Sequence, residues 1–137
     1  MVDITVTAAN VIPQAGLRKQ TGVAGAALTI GLAVYRKTSD KRWYSSDKDV
    51  AEDAEEYGIT LSQAAAAGQP VVVGGRKGKL AFGAILTVGE SYYVGEAAGG
   101  ICPSADVGAA EYRRFLGYAT TTSILAMDVN WQTEAHG

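Results

Sequence analysis

The stretch GAALTIGLAVY, residues 25–35, returns later in the chain as GAILTVGESYY, residues 83–93. In both copies a Leu-Thr-β-branched run precedes a glycine, and the residues after that glycine end in tyrosine. Glycine permits a positive φ, so each copy predicts a bend followed by a strand. A weaker third copy, AAAAGQPVVV at 64–73, places Gly68 where Gly31 and Gly89 stand. The spacing of the three glycines is uneven, so the repetition marks recurring turns in one β-domain rather than a solenoid.

The composition and the spacing of apolar runs favour strands along the whole chain. Seventeen glycines against three prolines, in 137 residues, are typical of a single domain that turns often. Short runs rich in Val, Ile, Thr and Tyr predict strands at 4–7, 32–36, 42–45, 59–62, 71–73, 80–82, 91–94, 113–119 and 124–131. Strands at such short spacing predict a mainly β protein, either a small β-sandwich or a β-barrel.

One segment favours a helix instead. In SSDKDVAEDAEEYG, residues 45–58, Ser46 is a candidate N-cap and Gly58 a candidate stop. Val50, Ala54 and Tyr57 share one face at helical spacing, and the remaining positions are mostly acidic. This pattern predicts one short surface helix.

The compact domain is expected to begin near residue 24. We expect residues 1–23 to form an extended N-terminal arm or a first strand, and residues 24–137 to form a single β-domain. The alternating apolar residues of this segment favour either strand addition to a neighbouring subunit or a strand of the chain's own sheet. The candidate contacts with a neighbour are Val2, Ile4, Val6, Val11, Ile12, Arg18 and Lys19.

The residue types needed for catalysis are scarce. Cys102 is the only cysteine and has no histidine near it in the sequence, so an inert buried thiol is the favoured interpretation. His136, the only histidine, stands one residue from the end of the sequence. The carboxylates cluster on the predicted helix without the spacing of a calcium loop. We therefore expect no enzyme activity, no cofactor and no metal, and the absence of a long apolar run predicts no membrane partner.

One basic hairpin combines residue types that are typical of a ligand-binding surface. Cations and aromatic rings alternate there, as they do in proteins that bind single-stranded nucleic acid. The residues are Arg36, Lys37, Lys41, Arg42, Trp43 and Tyr44. An ordinary solvated hairpin is the competing interpretation, and the formal net charge of −2 disfavours nucleic acid as the main partner.

Five segments, in order, resemble a family of tailed-bacteriophage structural proteins. They are ITVTAANVIP at 4–13, GLAVY at 31–35, YGITLSQAAAAGQPVVV at 57–73, GAILTVGESYYVGEAAGGICPSAD at 83–106 and FLGYATTTSILAM at 115–127. This pattern is similar to that of capsid decoration proteins, also called cement or head fibre proteins. The resemblance implies a mostly β subunit, usually a homotrimer, that is made in the host cytoplasm and sits on the outer capsid surface. Its partner would be the major capsid protein, and the family brings no catalytic residues.

A third interpretation is a receptor- or glycan-binding fibre domain on the virion surface. Such a domain would expose Tyr92, Tyr93, Trp43 or Trp131 in a shallow patch. The candidates for exposed rings are Trp43, Tyr44, Tyr92 and Trp131.

Overall fold

The chain folds into strands joined by short turns. The computed structural model describes residues 4, 6–14, 16–46, 54–74, 78–94, 99–103, 111–112, 115–130 and 135–136. Its strands are β1 (Ile12–Pro13), β2 (Lys19–Ala24), β3 (Ala33–Lys37), β4 (Arg42–Ser45), β5 (Ala54–Thr60), β6 (Pro70–Gly74), β7 (Gly78–Ala81), β8 (Ser91–Val94), β9 (Ile101–Pro103), β10 (Glu111–Tyr112), β11 (Phe115–Ala119), β12 (Ile124–Asn130) and β13 (Ala135–His136). A single turn of 3₁₀-helix at Ala8–Asn10 precedes them.

Two sheets make up most of the molecule. Five strands close into a barrel in the order β2-β4-β3-β5-β6, and six form a second sheet in the order β1-β7-β12-β11-β8-β9. All neighbouring strands in both are antiparallel except β2 and β4, which run parallel. The predicted mainly β class is confirmed, with a closed barrel and a second sheet packed on it. Within the described ranges, no helix has the length and apolar character to cross a membrane.

The repeated phrase has the predicted structure. Gly31, Gly68 and Gly89 have φ values of 86°, 89° and 82°, and strands β3, β6 and β8 follow them within two residues. Backbone in this region is strained for residues that carry a Cβ, which is why glycine recurs at each turn. The first and third copies also meet directly, because Leu28 and Ala64 form an isolated β-bridge. The prediction of a bend followed by a strand is therefore confirmed for all three copies.

The apolar side chains form two separate clusters. The larger one lies between the barrel and the six-stranded sheet, where Tyr57 and Ile59 of β5 pack with residues such as Leu80, Leu116 and Leu125. The smaller one fills the barrel and consists of Ala24, Leu28, Val34, Trp43, Ala64, Val71 and Val73. Because side chains alternate along a strand, β3 supplies both clusters from opposite faces, with Ala33 in the larger and Val34 in the smaller.

Strands of both sheets occur before residue 24. β1 pairs with β7 in the six-stranded sheet, and β2 pairs with β4 and β6 in the barrel. The sequence left open an arm or a first strand over 1–23, and these two segments pair within the chain's own sheets. The boundary expected at residue 24 falls at the last residue of a barrel strand.

The prediction of a surface helix is wrong for residues 54–58, which belong to a strand. Residues 54–60 form strand β5, and residues 56–60 are all buried. Tyr57 and Ile59 face the larger cluster, and Glu56 and Gly58 face the barrel interior. Side-chain direction therefore alternates with the period of two of a strand, not the 3.6 of a helix. Acidic composition suggested a solvated face, but Glu56 is buried beside an arginine. Residues 47–53 of the predicted helix lie outside the described part of the chain.

Candidate interaction surfaces

Trp43 lies inside the barrel and is fully buried. It is the cross-strand neighbour of Ala24 on one side and Arg36 on the other. The edge of the indole lies against Gly22, where an added Cβ would stand 2.4 Å from Nε1. The predicted exposure of Trp43 was therefore wrong. Alternation in RWYS shows that neighbouring side chains face opposite sides, but it does not show which side is interior.

A charged cluster closes one end of the barrel over this tryptophan. Arg36 Nη1 donates to Gln20 Oε1 at 3.1 Å, and Nη2 lies 3.7 Å from Glu56 Oε1. Gln20 Nε2 also donates to Glu56 Oε2. The guanidinium carbon of Arg36 lies 5.7 Å from the centroid of the Trp43 ring, within cation–π range. One of the cations predicted to bind nucleic acid is thus paired inside its own subunit.

Asp40 organises the tip of the β3–β4 hairpin. The backbone N–H of Arg42 donates to Asp40 Oδ1 at 3.0 Å, and the Tyr44 hydroxyl donates to Oδ2. The backbone N–H of Lys41 donates to the carbonyl of Lys37 at 2.9 Å. The hydrogen bond from Tyr44, followed by that from the Arg42 backbone, lowers the pKa of Asp40 below 3.8. The same bond raises the pKa of Tyr44 above 10.0.

This geometry predicts a specific titration. Because the folded-state pKa of Asp40 is lowered, its hydrogen bonds contribute stability above pH 3.8, and that stability is lost as pH falls through the folded-state value. We expect Tyr44→Phe to raise the pKa of Asp40, measured from carboxyl ¹³C chemical shifts against pH. Tyr118→Phe, on a strand of the other sheet, should leave it unchanged. An identical Asp40 titration in wild type and Tyr44→Phe would contradict the assignment.

Of the other aromatic residues predicted to be exposed, the structure describes Tyr44 and Tyr92, and neither is in the exposed class. Tyr92 is buried, and its hydroxyl accepts a hydrogen bond from the backbone N–H of Thr87 at 2.9 Å. Tyr44 is half-buried, and Trp131 lies outside the described residues. The large exposed ring that sequence analysis missed is Tyr118, at 47%. The predicted exposure of Tyr92 was wrong because SYYV offers two tyrosines in opposite phases, and the first of them faces the core.

The N-terminal candidates divide between core and surface. Ile4 and Val6 pack against the larger cluster, and Val11 is buried within it. The backbone N–H of Ile4 donates to the carbonyl of Ile101 at 2.8 Å, which places it beside the chain's own β9. Ile12, Arg18 and Lys19 are exposed, and Val2 lies outside the described residues. Of the predicted contacts that the structure describes, Ile12, Arg18 and Lys19 are therefore the ones most open to a neighbour.

The six-stranded sheet has an outer face with few charges. Cross-strand neighbours share a face, and two rows of them lie opposite the core. One row joins Ile12, Ala81 and Ile124, and the other joins Lys79, Ala126, Tyr118 and Ser91. Ile12 is 53% exposed, so this face presents both an aliphatic side chain and the Tyr118 ring to solvent.

Among the described residues, no group of three His, Cys, Asp or Glu side chains could hold a metal ion. The Cys102 thiol is buried. No protein-family model, no curated protein and no solved structure matches the chain.

Proposed function

We propose that the chain is a decoration subunit of a tailed-bacteriophage capsid, which binds the outer surface of the assembled head and stabilises it. The observation that carries the proposal is the order of the five segments, which together contain about half of the sequence. Those segments include the turns at Gly31, Gly68 and Gly89, so the resemblance lies in the residues that shape the fold.

A decoration subunit does not need a single strong contact with the capsid. A protein that binds the assembled lattice but not its separated subunits shifts the equilibrium toward the lattice by mass action. A homotrimer would strengthen this effect, since the second and third contacts become effectively intramolecular once the first has formed. The barrel is filled by Trp43, and Arg36, Gln20 and Glu56 interact beside it, so the subunit offers a packed body for such docking.

The single-strand-binding alternative has less support. That function needs exposed ring faces on which bases can stack. Trp43, the best stacking residue of the predicted constellation, is inside the barrel, and Arg36 lies over it. We therefore favour the decoration function, with the major capsid protein as partner.

The test compares heads with and without the chain. Heads of the encoding phage, prepared without the chain and then mixed with it, should bind it and resist heat or denaturant better than untreated heads. Head disruption is measured by light scattering and release of packaged DNA during a temperature ramp. Equal robustness of the two preparations, together with no binding in a co-sedimentation assay, would overturn the proposal.

A further inference from the structure

The β3–β4 hairpin carries cations on the outside of the barrel. Lys41 and Arg42 are exposed, and the Lys37 ammonium lies 5.5 Å from the centroid of the Tyr44 ring. Arg42 is the cross-strand neighbour of Val23, an apolar side chain that is 39% exposed. We call Val23, Lys37, Lys41 and Arg42 the basic hairpin face. An apolar side chain bordered by cations offers a protein partner both a surface to cover and a charge to match.

The backbone of Lys41 adds an independent observation. Its φ is 61°, and it is the only residue other than glycine with a positive φ in the described part of the chain. Glycine or asparagine fills such a position at lower free energy. A lysine held there at a cost to folding points to a use for its side chain.

The one carboxylate of the hairpin forms hydrogen bonds within the hairpin. Asp40 is the only acidic residue between positions 37 and 45. Both of its oxygens accept hydrogen bonds from within the hairpin, from the Arg42 backbone and the Tyr44 hydroxyl. These bonds fix the tip in one conformation, so a partner would meet a face that is already ordered.

The geometry favours a protein partner over nucleic acid. A ring that stacks on bases needs an open face, but Trp43 is buried and Tyr44 already packs against other groups. A Cβ added at Gly25 would stand 2.2 Å from Tyr44 Cζ, and the Tyr35 ring centroid is 5.9 Å from that of Tyr44. What the face offers is positive charge beside exposed aliphatic surface, which is complementary to carboxylates set around an apolar site.

We infer that the basic hairpin face docks on a carboxylate-rich surface of the capsid lattice. The inference rests on the proposed function, since the lattice supplies the partner. Docking pairs Lys41 and Arg42 with the lattice carboxylates and covers Val23. The affinity therefore falls as salt screens these charges.

The test reverses one charge on this face and one elsewhere. Lys41→Glu should weaken binding to heads prepared without the chain by about five- to tenfold at low salt, since it replaces an attraction with a repulsion. Lys79→Glu makes the same charge change at an exposed position of β7 and should alter binding less than about twofold. Binding is measured by co-sedimentation at increasing NaCl, with far-UV circular dichroism to check folding.

A second variant separates charge from stability. Lys41→Gly removes the ammonium and relieves the positive φ, so the midpoint of thermal unfolding should rise by about 3–5 °C. Its binding to heads should nonetheless fall, which a purely structural role for Lys41 does not predict.

The outcomes distinguish this inference from the proposed function. Wild-type chain that fails to bind heads would overturn both. Binding that is the same for wild type, Lys41→Glu and Lys41→Gly, and is insensitive to salt, would overturn the inference alone. Tight binding to single-stranded oligothymidylate that Lys41→Glu abolishes, with head binding unchanged, would assign the face to nucleic acid and also overturn it.

Discussion

Replacing Trp43 with alanine is expected to lower the free energy of unfolding by about 3–5 kcal/mol, the range for removing a buried tryptophan side chain. The indole is fully buried and is the largest side chain of the cluster inside the barrel. Its loss would leave a cavity among Ala24, Val34 and Val71 that the closed ring of strands cannot collapse to fill. A domain of ordinary stability has only about 5–15 kcal/mol in total, so most of the margin would disappear.

Two companion variants make the measurement specific. None of the described residues accepts a hydrogen bond from the Trp43 Nε1–H, so this buried donor itself costs free energy. Trp43→Phe removes that donor and keeps a ring beneath Arg36, and we expect it to cost less than about 2 kcal/mol. Tyr118→Ala, at an exposed position, should cost about 0.5 kcal/mol. Urea unfolding followed by far-UV circular dichroism measures all three, and a Trp43→Ala cost no larger than that of Tyr118→Ala would contradict the interior placement.

The fold was predictable where local chemistry decides it. Turn glycines and β-branched runs fix where strands begin, so β3, β4, β6 and β8 fall at or next to their predicted positions. The segment at 54–60 failed because Ala54 and Tyr57 fit a helical face as well as they fit a strand. Only pairing with β3 on one side and β6 on the other selects the extended form, and the paired residues are 13 to 26 positions apart in the sequence.

The surfaces were harder to predict than the strands. Sequence alternation shows that Trp43 and Tyr44 point to opposite sides, but the barrel must close before either side becomes an interior. The hairpin cations likewise lie on different faces of the barrel, which the sequence alone does not reveal. Arg36 is on the inner face with Glu56, and Arg42 is on the outer face with Val23. Tyr118 was missed because one exposed tyrosine between the buried Gly117 and Ala119 leaves no pattern in the sequence.

The second large effect is expected at Gly31, and the repeated phrase supplies its controls. All three turn glycines have a positive φ, so alanine at any of them costs about 1–2 kcal/mol of backbone strain. At Gly68 and Gly89 nothing lies within 4 Å of an added Cβ, and the cost should stop there. At Gly31 the added atom would stand 2.6 Å from Val6 Cγ1 and 3.1 Å from Val11 Cγ2. Overpacking of this kind adds about 1–3 kcal/mol.

The three alanine variants therefore test whether the repeated turns differ in packing while sharing one backbone conformation. Urea unfolding should place Gly31→Ala about 2–5 kcal/mol below wild type, a larger loss than for Gly68→Ala or Gly89→Ala. Adding Val6→Ala to Gly31→Ala removes the nearer obstacle, so the double variant should cost less than the sum of the two single variants. Equal losses at all three glycines would mean that Val6 does not pack over this turn and that the N-terminal segment leaves the core accessible. A larger loss at Gly31 that Val6→Ala relieves would show that the N-terminal segment packs over the turn that begins β3.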